Sequence, residues 1–108
     1  MNQFCCCGRL VADPEKQTSE NGNSYLKFTL AVPRSYKNAD GEYDADFIDV
    51  TVWDQMADNL TEYCHKGDLI GLRGRIETSS YDDENGEMKK STVVIAEKIT
   101  YLTTKKED

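Results

Sequence analysis

Asp46-Phe47-Ile48-Asp49-Val50-Thr51-Val52-Trp53 reads with a period of two. Successive strand residues face opposite ways, so Ile48, Val50 and Val52 share one face and Phe47, Asp49, Thr51 and Trp53 the other. The first set is a β-branched core face. The second carries two large aromatics among polar residues, which core packing alone does not require. Such rings can stack on unpaired bases, because every base offers a π-face. Equally, a second layer or a partner subunit can cover them. The strand alone leaves both readings open.

Upstream, Tyr25–Pro33 alternates in the same way, with Leu26, Phe28, Leu30 and Val32 facing one side and Tyr25, Lys27 and Thr29 the other. Pro33 is expected to stop that strand, leaving Arg34-Ser35-Tyr36-Lys37 at its edge. Asn38–Asp44, with Asp40-Gly41, then turns a long hairpin into the opening stretch. Residues 3–12 predict a first strand, with a bend or bulge at Gly8 and an end at Asp13-Pro14. The polar segment Glu15–Ser24, with Asn21-Gly22, is a loop or hairpin turn.

Downstream, Asp54–His65 predicts the one helix, with Asp54 as N-cap and Gly67 closing it. Its apolar stripe is Met56, Leu60, Tyr63 and Cys64. Asp13 and Asp54 are assigned turn and cap roles. Asp68–Tyr81 alternates again: Ile70, Leu72 and Ile76 inward, Arg73, Arg75, Glu77, Ser79 and Tyr81 outward, with Gly71 and Gly74 permitting curvature. Tyr81–Lys90 is a polar, protruding turn around Asn85-Gly86, and Ser91–Leu102 is the last strand. Three strands, a helix and two strands predict an all-β protein: a five-stranded OB-fold Greek-key barrel with one helix between strands 3 and 4. Residues 1–103 would form this domain and 104–108 a short disordered tail.

The 108 residues suit one domain with one modest core. They hold no apolar run of membrane-spanning length, and no charged segment followed by an apolar one at the start, so a reducing cytoplasm without membrane attachment is expected. Cys5, Cys6 and Cys7 are consecutive and point alternately to opposite faces of a strand, so they cannot converge on one metal. Cys64-His65 lacks a spaced second pair. No metal or cofactor is expected, and the cysteines read as small buried hydrophobes. There is no nucleophile–base arrangement and no phosphate loop, so no enzyme is implied. The net charge of −7 argues against indiscriminate nucleic-acid binding. Screening over roughly 10 Å in 0.1 M salt still permits a local site away from the acidic loops.

Several stretches together resemble the bacterial-type single-stranded DNA-binding protein family. They are Gly8-Arg9-Leu10 with Asp13-Pro14-Glu15, Phe28-Thr29-Leu30-Ala31-Val32, Ala45 through Trp53, Tyr63 with Lys66-Gly67, and Gly74-Arg75 leading to Tyr81. They stand in the family's order and cover about residues 3–102. The resemblance implies an OB fold, non-enzymatic binding of single-stranded DNA in replication, recombination or repair, and association into a homotetramer, with a homodimer the smaller option. It implies base stacking at Tyr36, Phe47, Trp53 and Tyr81, and phosphate contacts from Arg34, Arg73, Arg75, Lys89 and Lys90. Lys27 joins that list from the alternation alone. Cys5, Cys6 and Cys7 fall in the strand that, in relatives, takes part in subunit association.

The departures carry expectations too. Glu77, Ser79 and Ser80 stand where the family commonly has further basic residues, and Asp49 shares a face with Phe47 and Trp53, where a polyanion would prefer a neutral or basic group. Weaker, more salt-sensitive binding than the family norm is therefore expected, resting more heavily on stacking. The chain stops at Lys105-Lys106-Glu107-Asp108, without the acidic, apolar-tipped tail through which relatives recruit replication and repair proteins, so such partners are not assigned. Three rivals stay open. One is a tailless, primosomal-type OB module that binds proteins and only weakly DNA. The others are a cold-shock-type RNA binder and, more remotely, a redox protein using the cysteines.

Overall fold

β1 (Phe4–Leu10), β2 (Gln17–Thr18), β3 (Ser24–Lys37), β4 (Tyr43–Trp53), α1 (Gln55–Tyr63), β5 (Leu69–Asp82) and β6 (Met88–Tyr101) follow in that order in the computed structural model, which describes residues 1–103. The expected tail at 104–108 lies outside the described residues. Strands β1, β5, β6, β4 and β3 are hydrogen-bonded in that order, and β1 returns to β3 through Arg9↔Ala31 and Leu10↔Leu30. The five strands thus close into a barrel. Every pairing is antiparallel except the β4–β6 seam, which is parallel at Val50↔Val94 and Thr51↔Ile95. The two-residue β2 pairs with β3 only, so the helix does fall between the third and fourth strands of the barrel. The OB-type architecture read from the sequence holds.

Alternation built the core as expected. Leu26, Phe28 and Leu30 from β3 and Val50 and Val52 from β4 are buried together with Leu10, Ile70, Leu72, Val94 and Ala96. Each of the Leu, Ile, Val and Phe side chains contributes about 1.5–3 kcal/mol on full burial. From α1, Ala57 and Leu60 complete the core and Met56 packs partly against it. Tyr63 does not: it is largely exposed, and Cys64, the residue after the helix, is buried instead. The stripe rotates off the barrel in the last helical turn.

Asp54 occupies the N-cap position but not the N-cap chemistry. Its backbone has φ 56°, and its side chain makes no capping hydrogen bond. Its N–H donates to the Ser24 carbonyl while its own carbonyl accepts from Asp58, so backbone alone turns β4 into α1. Asp13 acts at a distance, its carboxylate accepting the Lys66 N–H at 2.7 Å. Gly8 marks where β1 leaves β3 for β5. A Cβ there would sit 2.8 Å from the Ala31 carbonyl oxygen and 2.9 Å from Val32 Cγ2, so close approach rather than a bulge demands glycine.

Three further expectations change. Pro33 does not stop β3, which runs on to Lys37 across a register shift between Pro33 and Lys37, where a missing N–H is tolerated. Residues 81–90 are not one long turn. The β5–β6 ladder continues to Asp82↔Met88, and only Asp83–Glu87 turns. Ile76, expected inside, is exposed: it lies two residues past Phe4↔Gly74, the last β1–β5 pair, although its β6 partner Val94 is still in the core; the Asn2 side-chain amide donates to its carbonyl and accepts from its N–H.

Candidate nucleic-acid interface

The register of β3 against β4 assembles the site. Tyr25 lies opposite Trp53, Lys27 opposite Thr51, Thr29 opposite Asp49 and Ala31 opposite Phe47. Directly opposed residues share a face, so all eight belong to one outer wall. Phe47 is 67% exposed and Trp53 42%. The two rings stand six residues apart on one strand, about 20 Å, so they are separate exposed rings along one face. Trp53 is braced by Tyr25, whose ring centroid lies 5.2 Å away at an interplanar angle of 36°. Tyr25 is fixed in turn by donating its hydroxyl to Gln17 Oε1 at 2.8 Å. The sequence reading placed Tyr25 on the right face but missed this brace, which only the β3–β4 register reveals.

Tyr36 and Tyr81 are also exposed, but on two different hairpins. Tyr36 lies beyond the β3 register shift, where its hydroxyl accepts a long hydrogen bond from Arg34. Tyr43, across from Lys37 on the same hairpin, is a further exposed aromatic that the sequence reading passed over; the Lys37 ammonium stands 5.8 Å from its ring centre. Tyr81 pairs with Lys89 on the β5–β6 hairpin, and the two share a face. Lys90 pairs with Ser80 and therefore points to the opposite face.

The predicted phosphate ligands divide into two kinds. Arg34, Arg75 and Lys89 are already held by carboxylates: Arg34 by Asp46 at 2.8 Å, Arg75 by Glu77 and Glu97, Lys89 by Asp83 and Glu87. The hydrogen bond donated by Arg34 is the main cause that holds the Asp46 carboxyl below its ordinary value, and the hydrogen bond that Arg75 donates to Glu77 is the main cause that raises Arg75. Because the folded Asp46 value is depressed, the pair is intact above the usual carboxylate range and is lost as pH falls through that lowered value. Lys27, Arg73 and Lys90 have no such ion pair among the described residues. Arg73, however, lies opposite Cys5 on the β1–β5–β6 wall and lines a mostly apolar cleft of about 500 Å³ with Cys5, Cys7, Lys98 and Leu102. It is not beside Phe47 and Trp53.

These ion pairs argue for a shallower salt dependence than the more salt-sensitive binding expected from the sequence. A cation that must leave a carboxylate to meet a phosphate changes the net ion count less than a free one, so the slope becomes shallower. Replacing Asp46 by alanine is expected to free Arg34, tighten single-strand binding severalfold at low salt and steepen the log–log salt slope by about 0.7. An unchanged slope in a salt titration would show that Arg34 meets no phosphate.

A closed five-stranded barrel with a helix between β4 and β5 and exposed aromatics on its β3–β4 wall defines a protein of the OB-fold class. Among known proteins, the single-strand binding protein family matches residues 1–102, and the chain belongs to that family. It is 43% identical over 108 residues to single-stranded DNA-binding protein 1 of Clostridium acetobutylicum, covering 99% of this chain and 98% of the relative. It is 41% identical over 104 residues to single-stranded DNA-binding protein B of Bacillus subtilis, covering 96% and 92%. Against single-stranded DNA-binding protein 1 of Staphylococcus aureus the identity is 40% over 108 residues, covering 100% and 69%. No helix among the described residues is long and apolar enough to cross a membrane.

Proposed function

We propose that this chain binds and protects single-stranded DNA without strong sequence demands, in the cytoplasm, on intermediates of replication, recombination or repair. The observation that carries this reading is the pair of exposed rings, Phe47 and Trp53, aligned on the outer wall of an OB barrel whose family is the single-strand binders. Aromatic platforms hold bases by their π-faces, and Lys27 supplies an adjacent cation. Trp53 is the only tryptophan, so its fluorescence reports the site directly. Titration with oligothymidylate is expected to quench it strongly, while duplex DNA leaves it unchanged. No response at any salt, with Trp53 open to a small quencher, would favour the protein-binding, primosomal-type module instead.

Association with further copies, as a tetramer or a dimer, is part of the same proposal. It is supported by β1, which between Phe4 and Gly8 is paired only with β5 and leaves its other edge open. Cys5 and Cys7 are exposed on the outer face of that strand, and Cys6 is half-buried. Burial pushes the Cys6 thiol up, and pushes Cys64 to about 11, so both are poor nucleophiles at neutral pH. In the assembled protein, a thiol reagent is expected to spare Cys64 until unfolding and to react slowly with at least one of Cys5, Cys6 and Cys7. Fast reaction of all three would contradict an interface at β1.

A further inference from the structure

Asp49 is the one acidic side chain placed between the two rings of the β3–β4 wall, two residues after Phe47 and four before Trp53 on the same face. A random acidic substitution on a DNA-binding wall should be solvated and mobile. This one is held: Thr29 Oγ1 donates to Asp49 Oδ1 at 2.8 Å across the strand pair. No basic group lies within ion-pair distance of it among the described residues. The carboxylate lines a cleft of about 380 Å³, whose other polar walls include Lys27, Thr29, Thr51, Ser91 and Thr92. The cleft runs between the β3–β4 wall and the foot of the β5–β6 hairpin.

An ionised carboxylate is an acceptor only. A phosphate brought to Asp49 is repelled, so the part of a single strand that suits it is a hydrogen-bond donor. Cytosine, adenine and guanine carry exocyclic amino groups, and a carboxylate accepting from the cytosine amino group is an established pairing. Thymine has no amino group. Its one ring N–H lies between two carbonyl oxygens that a carboxylate repels. We propose that Asp49 is a specificity-determining residue, which biases this wall toward bases bearing an exocyclic amino group and away from thymine. The inference rests on single-stranded DNA binding to this wall and adds a base preference to it. Thr29 is the positioning residue: its hydroxyl occupies Oδ1 and leaves Oδ2 to the base.

The test compares oligo-dC, oligo-dA and oligo-dT of equal length against the full chain and its Asp49→Ala, Asp49→Asn and Thr29→Val variants, by fluorescence anisotropy at fixed salt. Removing a repulsive charge from any strand raises all affinities together, whereas removing a base acceptor changes their ratio. In Asp49→Ala and Asp49→Asn the dC-to-dT affinity ratio is expected to fall about fivefold or more relative to the unaltered chain. Thr29→Val is expected to move the ratio in the same direction by less. Equal gains on dC and dT in both Asp49 variants would overturn the proposal and leave Asp49 a simple phosphate repellent. Failure of every oligonucleotide to bind the unaltered chain would instead overturn the DNA-binding reading itself, and this inference with it.

Discussion

Phe47→Ala is expected to weaken single-stranded DNA binding by roughly one to two orders of magnitude and to leave thermal stability essentially unchanged. The ring is two-thirds exposed, so its removal opens no cavity and exposes no core. A surface change of that kind stays within about 0.5 kcal/mol in stability. A lost platform costs about 1–3 kcal/mol per base, which converts at 1.4 kcal/mol per tenfold. Phe47→Tyr and Phe47→Trp keep a π-face and should restore most of the affinity. The check is an oligothymidylate titration beside a melting curve. A change in affinity below twofold, with the fold intact, would remove Phe47 from the binding path. Trp53 is less clean as a first target, because its loss also removes the support of Tyr25 and the only intrinsic reporter.

Gly74→Ala is expected to be the most damaging single-methyl change in the barrel. Gly74 follows the β5–β6 register shift, where Arg73 pairs with Lys98 but Gly74 pairs with Ala96, leaving Glu97 as the extra residue on β6. A Cβ at position 74 would overlap the Ile95 carbonyl oxygen and lie 3.0 Å from Ala96 Cα. Both obstacles are backbone of the neighbouring strand and cannot rotate away. Overpacking of this kind costs about 3 kcal/mol. At about 4–8 °C per kcal/mol for a domain near this size, the melting temperature should fall by roughly 12–24 °C. Gly71→Ala is the internal control: its Cβ would meet Cys7 Sγ at 3.4 Å, Leu102 Cδ1 at 3.5 Å and the Cys6 carbonyl oxygen at 3.9 Å, all ordinary contacts. Similar melting temperatures for the two variants would show that the bulge relaxes around a side chain.

What the sequence made legible, and what it hid, follows from how local each feature is. The parity of Ile48, Val50 and Val52 against Phe47 and Trp53 is a property of one strand, and it gave both the core residues and the two exposed rings. The barrel followed from the order of elements and from Gly8 and Gly74, which mark close approach of neighbouring strands. The ion pairs did not follow. Arg34 reaches Asp46 across a hairpin whose register shifts between Pro33 and Lys37, and no period-two count predicts which residues face each other beyond such a shift. Lys89 and Lys90 were hidden for another reason: the sequence reads as a turn there, and only because the ladder continues to Asp82↔Met88 do they alternate to opposite faces. Arg73 has the parity of an outer-face residue, but parity cannot say which wall of a closed barrel that face belongs to. Ile76 failed because it lies past the last β1–β5 pair, Phe4↔Gly74, and a single-strand pattern does not show where a neighbouring strand ends.

The barrel's two closing contacts, β1 to β3 at Arg9↔Ala31 and Leu10↔Leu30, and β4 to β6 at Val50↔Val94 and Thr51↔Ile95, are far shorter than the β3–β4 and β5–β6 ladders. This division sets an order of events in folding. Each long hairpin zips from a short turn and can form early, whereas each seam gains only two pairs, and the β4–β6 seam must close 44 residues (Val50 to Val94) to make them. The hairpins therefore come first and the seams last. Until they close, the edges of β3, β4 and β6 stand unpaired, so this late step is when the chain is most open to pairing with the wrong strand.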